Sequence, residues 1–261
     1  MRDNNLIRSL ERGLMILETC GAASAPLTLT EIAKLSKLNK ATTQRFLHTL
    51  CSLGYLNRED SKRYSLGTKV LSLGFNLLNS SNLRSMVKPY LDELSFVLDK
   101  TVNLAVLDNF DIIFLYRKEV SRFLKYDLQA GSKLPAYCTS SGKLLLAGLS
   151  NEVLRKRINK TELYQITPKT ITAKERLWEE IMNIRKRGYS ISDQELSLDL
   201  YTLAVPLIDG QGKIVAATNV SFAAKDKDSL IKETIITKLI ETGEQISHTL
   251  GYKGPYPNLW S

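Results

Sequence analysis

Thr28-Leu29-Thr30-Glu31-Ile32-Ala33-Lys34-Leu35-Ser36-Lys37-Leu38-Asn39-Lys40-Ala41-Thr42-Thr43-Gln44-Arg45-Phe46-Leu47-His48-Thr49-Leu50 is the stretch that decides the fold. Its opening Thr-x-x-Glu spacing lets two side chains satisfy orphan amides reciprocally at a helix start, so a short helix follows, with Leu29, Ile32, Ala33 and Leu35 as its apolar face. Ser36-Lys37-Leu38 leaves room only for a tight corner, after which Asn39 caps a second helix. From Lys40 to Leu53 the residues Phe46, Leu47, Leu50 and Leu53 form one stripe, with Thr43 at its edge, and Ala41, Gln44, Arg45 and His48 occupy the opposite side. That side suits base edges: Arg pairs bidentately with guanine, Gln with adenine, and Ala touches the thymine methyl, each good bidentate pair giving roughly 1–3 kcal/mol of discrimination. Lys40 and Thr42, at the helix entrance, suit phosphates or the first base.

Beyond Gly54, the runs Tyr55-Leu56-Asn57-Arg58 and Arg63-Tyr64-Ser65-Leu66 flank Glu59-Asp60-Ser61-Lys62, a strand, turn, strand pattern. This hairpin forms a wing whose Arg58, Lys62 and Arg63 lie along a phosphate backbone or in a minor groove, and no Asp or Glu stands between Ile32 and Arg58 to oppose them. Taken singly, each cation is as well explained as a solvated surface charge. The coincidence of capped helix, corner, carboxylate-free helix and basic hairpin is what points to double-stranded DNA. Leu10, Leu14 and Leu17 mark a preceding helix, from about Ser9 to Cys20, that completes a three-helix core.

A winged module needs residues 1–66. The 261-residue chain then has room for a linker helix over 67–80 and a second folded unit over 81–261. Hydrophobic content of 43% and charged content of 24% fit two ordinary globular cores. The net charge of +9 is spread along the chain, with 10 Lys and Arg against 6 Asp and Glu in the first 66 residues, so charge by itself argues only weakly for nucleic acid. Cys20, Cys51 and Cys138 form no Cys-x-x-Cys pair, which argues against a disulfide framework or a zinc site. No apolar run approaches membrane-spanning length and the first residues lack a signal-peptide core, so the expected location is the cytoplasm, with no membrane partner. In the linker, Val70, Leu71, Leu73, Leu77 and Leu78 offer more apolar surface than one partner needs, as a dimer contact would.

The second unit mixes element types. A helix over Leu83–Leu98 leads into strands at Val102–Leu107 and Ile112–Tyr116 around the turn Asp108-Asn109-Phe110-Asp111. Thr172-Ala173-Lys174-Glu175 has capping-box spacing, and the helix it opens ends in Arg185-Lys186-Arg187-Gly188, a basic last turn with a C-terminal glycine. Strands at Tyr201–Ile208 and Lys213–Phe222 and a helix over Asp228–Leu250 follow. The sum is an α+β domain, an antiparallel sheet covered by helices. An enzyme reading finds little: two histidines, His48 and His248, neither placed as a base; a Thr139-Ser140-Ser141-Gly142 run that is no nucleophile elbow; and Asp193 and Glu195, better explained as loop anchors than as an acid/base pair. No catalytic residue, metal ligand or cofactor is assigned. An esterase- or amidase-like domain tethered to a nucleic-acid module is the alternative, and a double-stranded RNA or nonspecific nucleoid binder a third reading.

Arg8-Ser9-Leu10-Glu11-Arg12-Gly13-Leu14, Leu27 to Tyr55, Tyr64-Ser65-Leu66-Gly67 and Gly188-Tyr189-Ser190 together resemble the IclR family of bacterial transcriptional regulators over nearly the whole chain. Asn103-Leu104-Ala105-Val106-Leu107-Asp108, Gly131 to Tyr137 running on to Ala147, and Leu203-Ala204-Val205-Pro206 are similar to the group that regulates aromatic catabolism through the β-ketoadipate pathway. The resemblance implies a winged helix-turn-helix, a linker helix and a GAF-like effector-binding domain. It also implies a homodimer or homotetramer on a palindromic operator and a small organic acid, aromatic or dicarboxylic, as effector. Carried onto this chain, the effector pocket holds Ser140, Ser141, Ser192, Asp193, Leu200, Thr202, Asn219 and Ser221. Thr202 and Asn219 stand where members that bind small keto acids often have Cys and Ser. Hydroxyls and helix-start amides at Ser140 and Ser141 favour an anion, with Arg117, Arg122 or Lys125 as a counter-charge.

Overall fold

Thr28 and Glu31 form the reciprocal cap that their spacing predicts. The Thr28 amide donates to Glu31 Oε2 at 2.7 Å, and the Glu31 amide to Thr28 Oγ1 at 3.3 Å. In this computed structural model, which describes residues 6–80, 82–120 and 128–257, contacts divide the chain into two compact units, 1–80 and 81–261. The first holds α1 (Arg8–Ala22), β1 (Leu27–Thr28), α2 (Leu29–Leu35), α3 (Lys40–Ser52), β2 (Leu56–Arg58), β3 (Arg63–Leu66) and α4 (Thr68–Ser80). The corner between α2 and α3 closes through a Leu38 amide to Ala33 carbonyl bond of 3.0 Å, and Asn39 caps α3 by accepting from the Thr42 amide at 2.8 Å. The antiparallel order β1-β3-β2 makes the wing, whose turn sets Lys62 at φ 59, a left-handed position unusual for a side chain other than glycine.

The small core collects Ile16, Cys20, Ile32, Leu47, Leu56 and Tyr64. Three sequence expectations shift here. α1 turns Ile16 and Cys20 inward, so Leu10 and Leu14 stand 59% and 50% exposed. Leu35 and Leu53, the terminal members of their stripes, are likewise exposed, because each lies where its helix runs out past the core. Thr43 is fully buried instead of lying at an edge, its hydroxyl satisfied by the Asn39 carbonyl at 2.9 Å.

In the second unit, α5 (Asn82–Leu98) leads to β4 (Thr101–Asp108) and β5 (Asp111–Lys118), then β6 (Lys133–Pro135), a 3-10 turn, α6 (Ser140–Ala147), α7 (Asn151–Lys160), α8 (Lys174–Arg187), β7 (Ser190–Asp193), β8 (Leu200–Ile208), β9 (Ile214–Ala223) and α9 (Ser229–Thr249). The six strands form one antiparallel sheet in the order β6-β5-β4-β9-β8-β7. One face packs Val102, Leu104, Tyr201, Leu203, Val220 and Phe222 against α5 and α9. The other sets Ala105, Phe114, Ala204 and Ala217 against α6 and α8.

α7, capped by Ser150, is an element the sequence reading passed over. The capping box at Thr172 is corrected: α8 starts one residue too late for it, with Ala173 as N-cap and no side-chain cap bond. Its other end is as read, Gly188 taking φ 78 after three basic residues. Gly142, inside α6, allows the helix to lie on the preceding turn; a Cβ there would sit 2.2 Å from the Ala136 carbonyl oxygen.

Candidate nucleic-acid interface and effector cavity

α3 is held by its cap at one end and by Thr43 and Leu47 beneath, which leaves Lys40, Ala41, Gln44, Arg45 and His48 exposed and Thr42 half-buried. Gln44 and His48 share a cleft of about 230 Å³ with Arg58 and Lys62 of the wing, so one wall carries side chains able to read bases and the other carries cations. The Arg58 guanidinium rests 6.0 Å from the centre of the Tyr64 ring, which keeps it on this side of the hairpin. Arg63 departs from the group. Paired with Thr28 of β1, it donates to the Pro26 carbonyl at 2.9 Å and lies 3.6 Å from Glu31, so it ties the wing to α2 instead of standing with Arg58 and Lys62.

The candidate effector cavity opens on the α6 face of the sheet. Ser192, Leu200, Thr202, Asn219 and Ser221 line it, joined by Asn103, Ile112, Phe114, Arg117, Leu128, Leu134, Cys138, Thr139 and Leu196. Three expected members lie elsewhere. Asp193 pairs across the sheet with Tyr201, on the face opposite the Ser192–Thr202 pair, and binds Lys227 at 2.8 Å and Lys169 at 3.5 Å. Although burial raises the Asp193 pKa, the bonds from Lys227 and Gln194 outweigh it and hold the carboxyl below its usual value. Ser140 and Ser141 are fully buried behind the wall. Ser141 Oγ accepts from Asn219 Nδ2 at 2.7 Å, while the free helix-start amide of Gly142 is taken by Thr139 Oγ1 at 3.1 Å. Ser140 Oγ has no hydrogen-bond partner among the described residues.

Arg117 reaches the cavity because of a bulge. The register shifts between Leu104 and Ala105, so that Ala105 faces Phe114 while Leu104 faces Tyr116; the extra residue on β5 puts Arg117 opposite Asn103 and on the cavity side. Its side chain is 8% exposed, and the guanidinium donates through Nη1 to Asn103 Oδ1 at 2.8 Å and through Nη2 to Glu119 at 3.1 Å. Asn103 Nδ2 donates onward to Asn219 Oδ1 at 2.6 Å, and Asn219 to Ser141, so a polar chain runs from β5 through β4 and β9 to the start of α6. Arg122 and Lys125, the other proposed counter-charges, lie outside the described residues.

Sequence reasoning did not name Asn103 as a site residue, although a lone amide between Val102 and Leu104 in a buried strand was a usable signal. It also missed Lys143, 1% exposed inside the apolar run of α6 and paired with Glu195. Burial raises the Glu195 pKa, against the pull of Lys143. Burial, reinforced by the Glu195 carboxylate, pushes the Cys138 thiol up to about 12, so it faces the cavity as a protonated thiol. Asp193 and Glu195 therefore serve separate lysines and form no acid/base pair. Among the described residues no group of three His, Cys, Asp or Glu could hold a metal ion, and no helix is long and apolar enough to cross a membrane.

Comparison with known proteins agrees over both units. Residues 9–60 match the IclR helix-turn-helix domain and residues 75–248 the bacterial transcriptional regulator IclR C-terminal domain. The chain is 35% identical to the Pca regulon regulatory protein of Pseudomonas putida, over 95% of this chain and 86% of that one. It is 32% identical to the p-hydroxybenzoate hydroxylase transcriptional activator of Acinetobacter baylyi, over 84% and 82%. Among solved structures, the Thermotoga maritima IclR matches with a TM-score of 0.68 at 28% identity, covering 94% of this chain and 99% of that one.

Proposed function

Since the chain belongs to the IclR family, and so is a DNA-binding transcriptional regulator and not an enzyme, we propose that residues 1–66 read an operator, that 67–80 link, and that 81–261 sense a small organic acid and thereby control catabolic genes. The observation that carries the DNA reading is the exposed, capped α3, with Gln44 and Arg45 uncovered beside Arg58 and Lys62. Lys40, Ala41, Thr42, Gln44 and Arg45 contact bases and the first phosphates, and Arg58 and Lys62 the flanking backbone. Arg63 braces the wing.

The named relatives regulate the Pca regulon and p-hydroxybenzoate hydroxylase, which supports an aromatic or dicarboxylic acid as effector. Ser192, Leu200, Thr202, Asn219 and Ser221 form the contact surface for that acid, with Ser140 and Ser141 behind it. The apolar side chains left uncovered on α1 and α4, Leu10, Leu14, Leu71 and Leu73, support a homodimer or homotetramer whose paired winged units meet half-sites about one helical turn apart or a multiple of it. The cytoplasm is the compartment this function needs. Selection of duplexes from a random pool tests the DNA reading: a recovered palindrome preferred roughly 10³-fold or more over random duplex supports it, and equal binding to all duplexes overturns it.

A further inference from the structure

We infer that Arg117 is the carboxylate anchor of the effector cavity, and that the cavity is built for an acid with one negative charge and a flat apolar body, in preference to a dicarboxylate. The inference rests on the proposed sensing role of this cavity and narrows it.

Burial makes Arg117 unusual. Nearly all of its side chain is out of water, it lines the cavity, and its Nε is buried with no hydrogen-bond partner among the described residues. An arginine held this way is costly unless something anionic completes it, and its planar fork matches a carboxylate. What it has is incomplete: Nη1 is spent on the neutral Asn103 amide, and Nη2 on Glu119, whose side chain is about a third exposed. Among the described lining residues Arg117 is the one formal charge.

The rest of the wall is of two kinds. Asn103 touches Arg117 and bonds onward to Asn219 and Ser221, with Thr202 paired to Ser221, and the remainder is largely Ile112, Phe114, Leu134, Leu196 and Leu200. A monoacid fills this division with its carboxylate on Arg117 and its ring on the apolar side. A dicarboxylate of similar size would bring a second charge against Phe114 or Leu196, where no cation meets it among the described lining residues. The cavity offers about 20 Å³ of room, enough for about one water, so a ring-sized acid enters only by parting the walls. The Asn103–Asn219–Ser141 chain links such a movement to the start of α6.

Isothermal titration of the full-length protein with 4-hydroxybenzoate, its uncharged analogue 4-hydroxybenzyl alcohol, and the dicarboxylate adipate tests this. Wild type should prefer the acid to the alcohol and to adipate. Arg117→Gln should bind the acid about 30-fold or more weaker, the range for stripping one partner from a buried charge pair, and lose its preference over the alcohol. Glu119→Gln, which removes the competitor for Nη2, should tighten the acid; a merely structural arginine would not produce that gain. Binding of the acid by Arg117→Gln at wild-type strength, with operator binding intact, would overturn the anchor and leave the sensing role standing. Tighter binding of adipate than of 4-hydroxybenzoate would overturn the single-charge preference. If wild type bound no acid at all, the sensing role and the anchor would both fall.

Discussion

The helix proposed to face DNA and the proposed effector cavity are made in opposite ways. The hydrogen bonds that start and orient α3 are local: Asn39 caps it from one residue away, Thr43 bonds back four residues, and the corner closes within six, while Leu47 packs on Ile16 of α1 inside a small core. The polar chain along the cavity joins Arg117, Asn103, Asn219 and, behind the wall, Ser141, separated by up to 116 residues and brought together by the pairing of β5, β4 and β9 and the packing of α6 on the sheet. A locally built surface can vary its exposed residues without disturbing its scaffold, which suits a part that must match one operator. A site made of long-range bonds couples a ligand to the whole sheet, which suits a sensor.

This contrast can be broken or sharpened by substitution. The largest effect is expected at Lys143→Met, which strands the Glu195 carboxylate in the interior and should cost about 3–5 kcal/mol of stability in denaturant unfolding. The pH dependence follows from the Glu195 pKa, which burial raises above the unfolded value of 4.5. The folded state then binds the proton more readily than the unfolded chain, so the variant should regain stability as pH falls through the folded pKa, approaching its full gain below 4.5. A variant that lost stability steadily over that window would contradict the placement of Glu195.

Next in size, Gly142→Ala drives a methyl into the Ala136 backbone and should destabilise the second unit by about 1–3 kcal/mol. Gly74→Ala, with open space around it in α4, should instead be neutral or stabilising by up to about 1 kcal/mol. Thermal unfolding of the two variants side by side separates close packing from helix propensity.

On the local side, Arg45→Ala should flatten base preference at one operator position, by roughly 1–3 kcal/mol, while leaving others unchanged. Equal losses on every duplex would remove Arg45 from the base-reading set. Asn39→Ala should cost about 1 kcal/mol, a cap's worth, in the first unit's unfolding. The smallest effect belongs to Lys62→Ala, which should weaken all duplexes alike and reduce the slope of log affinity against log salt by nearly one unit.

How much of the molecule could be read in advance follows the same division. The Thr28 box, the Asn39 cap, the wing and the Gly188 stop are signals contained within a few residues, and each is found where its chemistry requires. In α1, Leu10, Leu14 and Leu17 make as good a stripe as the one used; the face is selected by packing of Ile16 and Cys20 with Ile32, Leu47, Leu56 and Tyr64, which lie far along the chain. Arg63 alternates with cations along the wing, yet β1, two residues long, captures it. In the cavity, Asp193 was separated from Ser192 by strand alternation alone, and attention to the pleat would have excluded it. Simple alternation in β5 puts Arg117 on the wrong face, and the bulge that turns it to the cavity exists only through pairing with β4.

The proposed switch requires coupling between the two regions, and linkage requires a ligand that changes operator affinity to be bound more or less tightly by the same factor when operator is present. The direct measurement is the affinity of the full-length protein for its selected operator, with and without saturating 4-hydroxybenzoate. A change of roughly 5-fold or more, in either direction and abolished in Arg117→Gln, is the result this account predicts. Identical operator affinity with every acid that binds would contradict it.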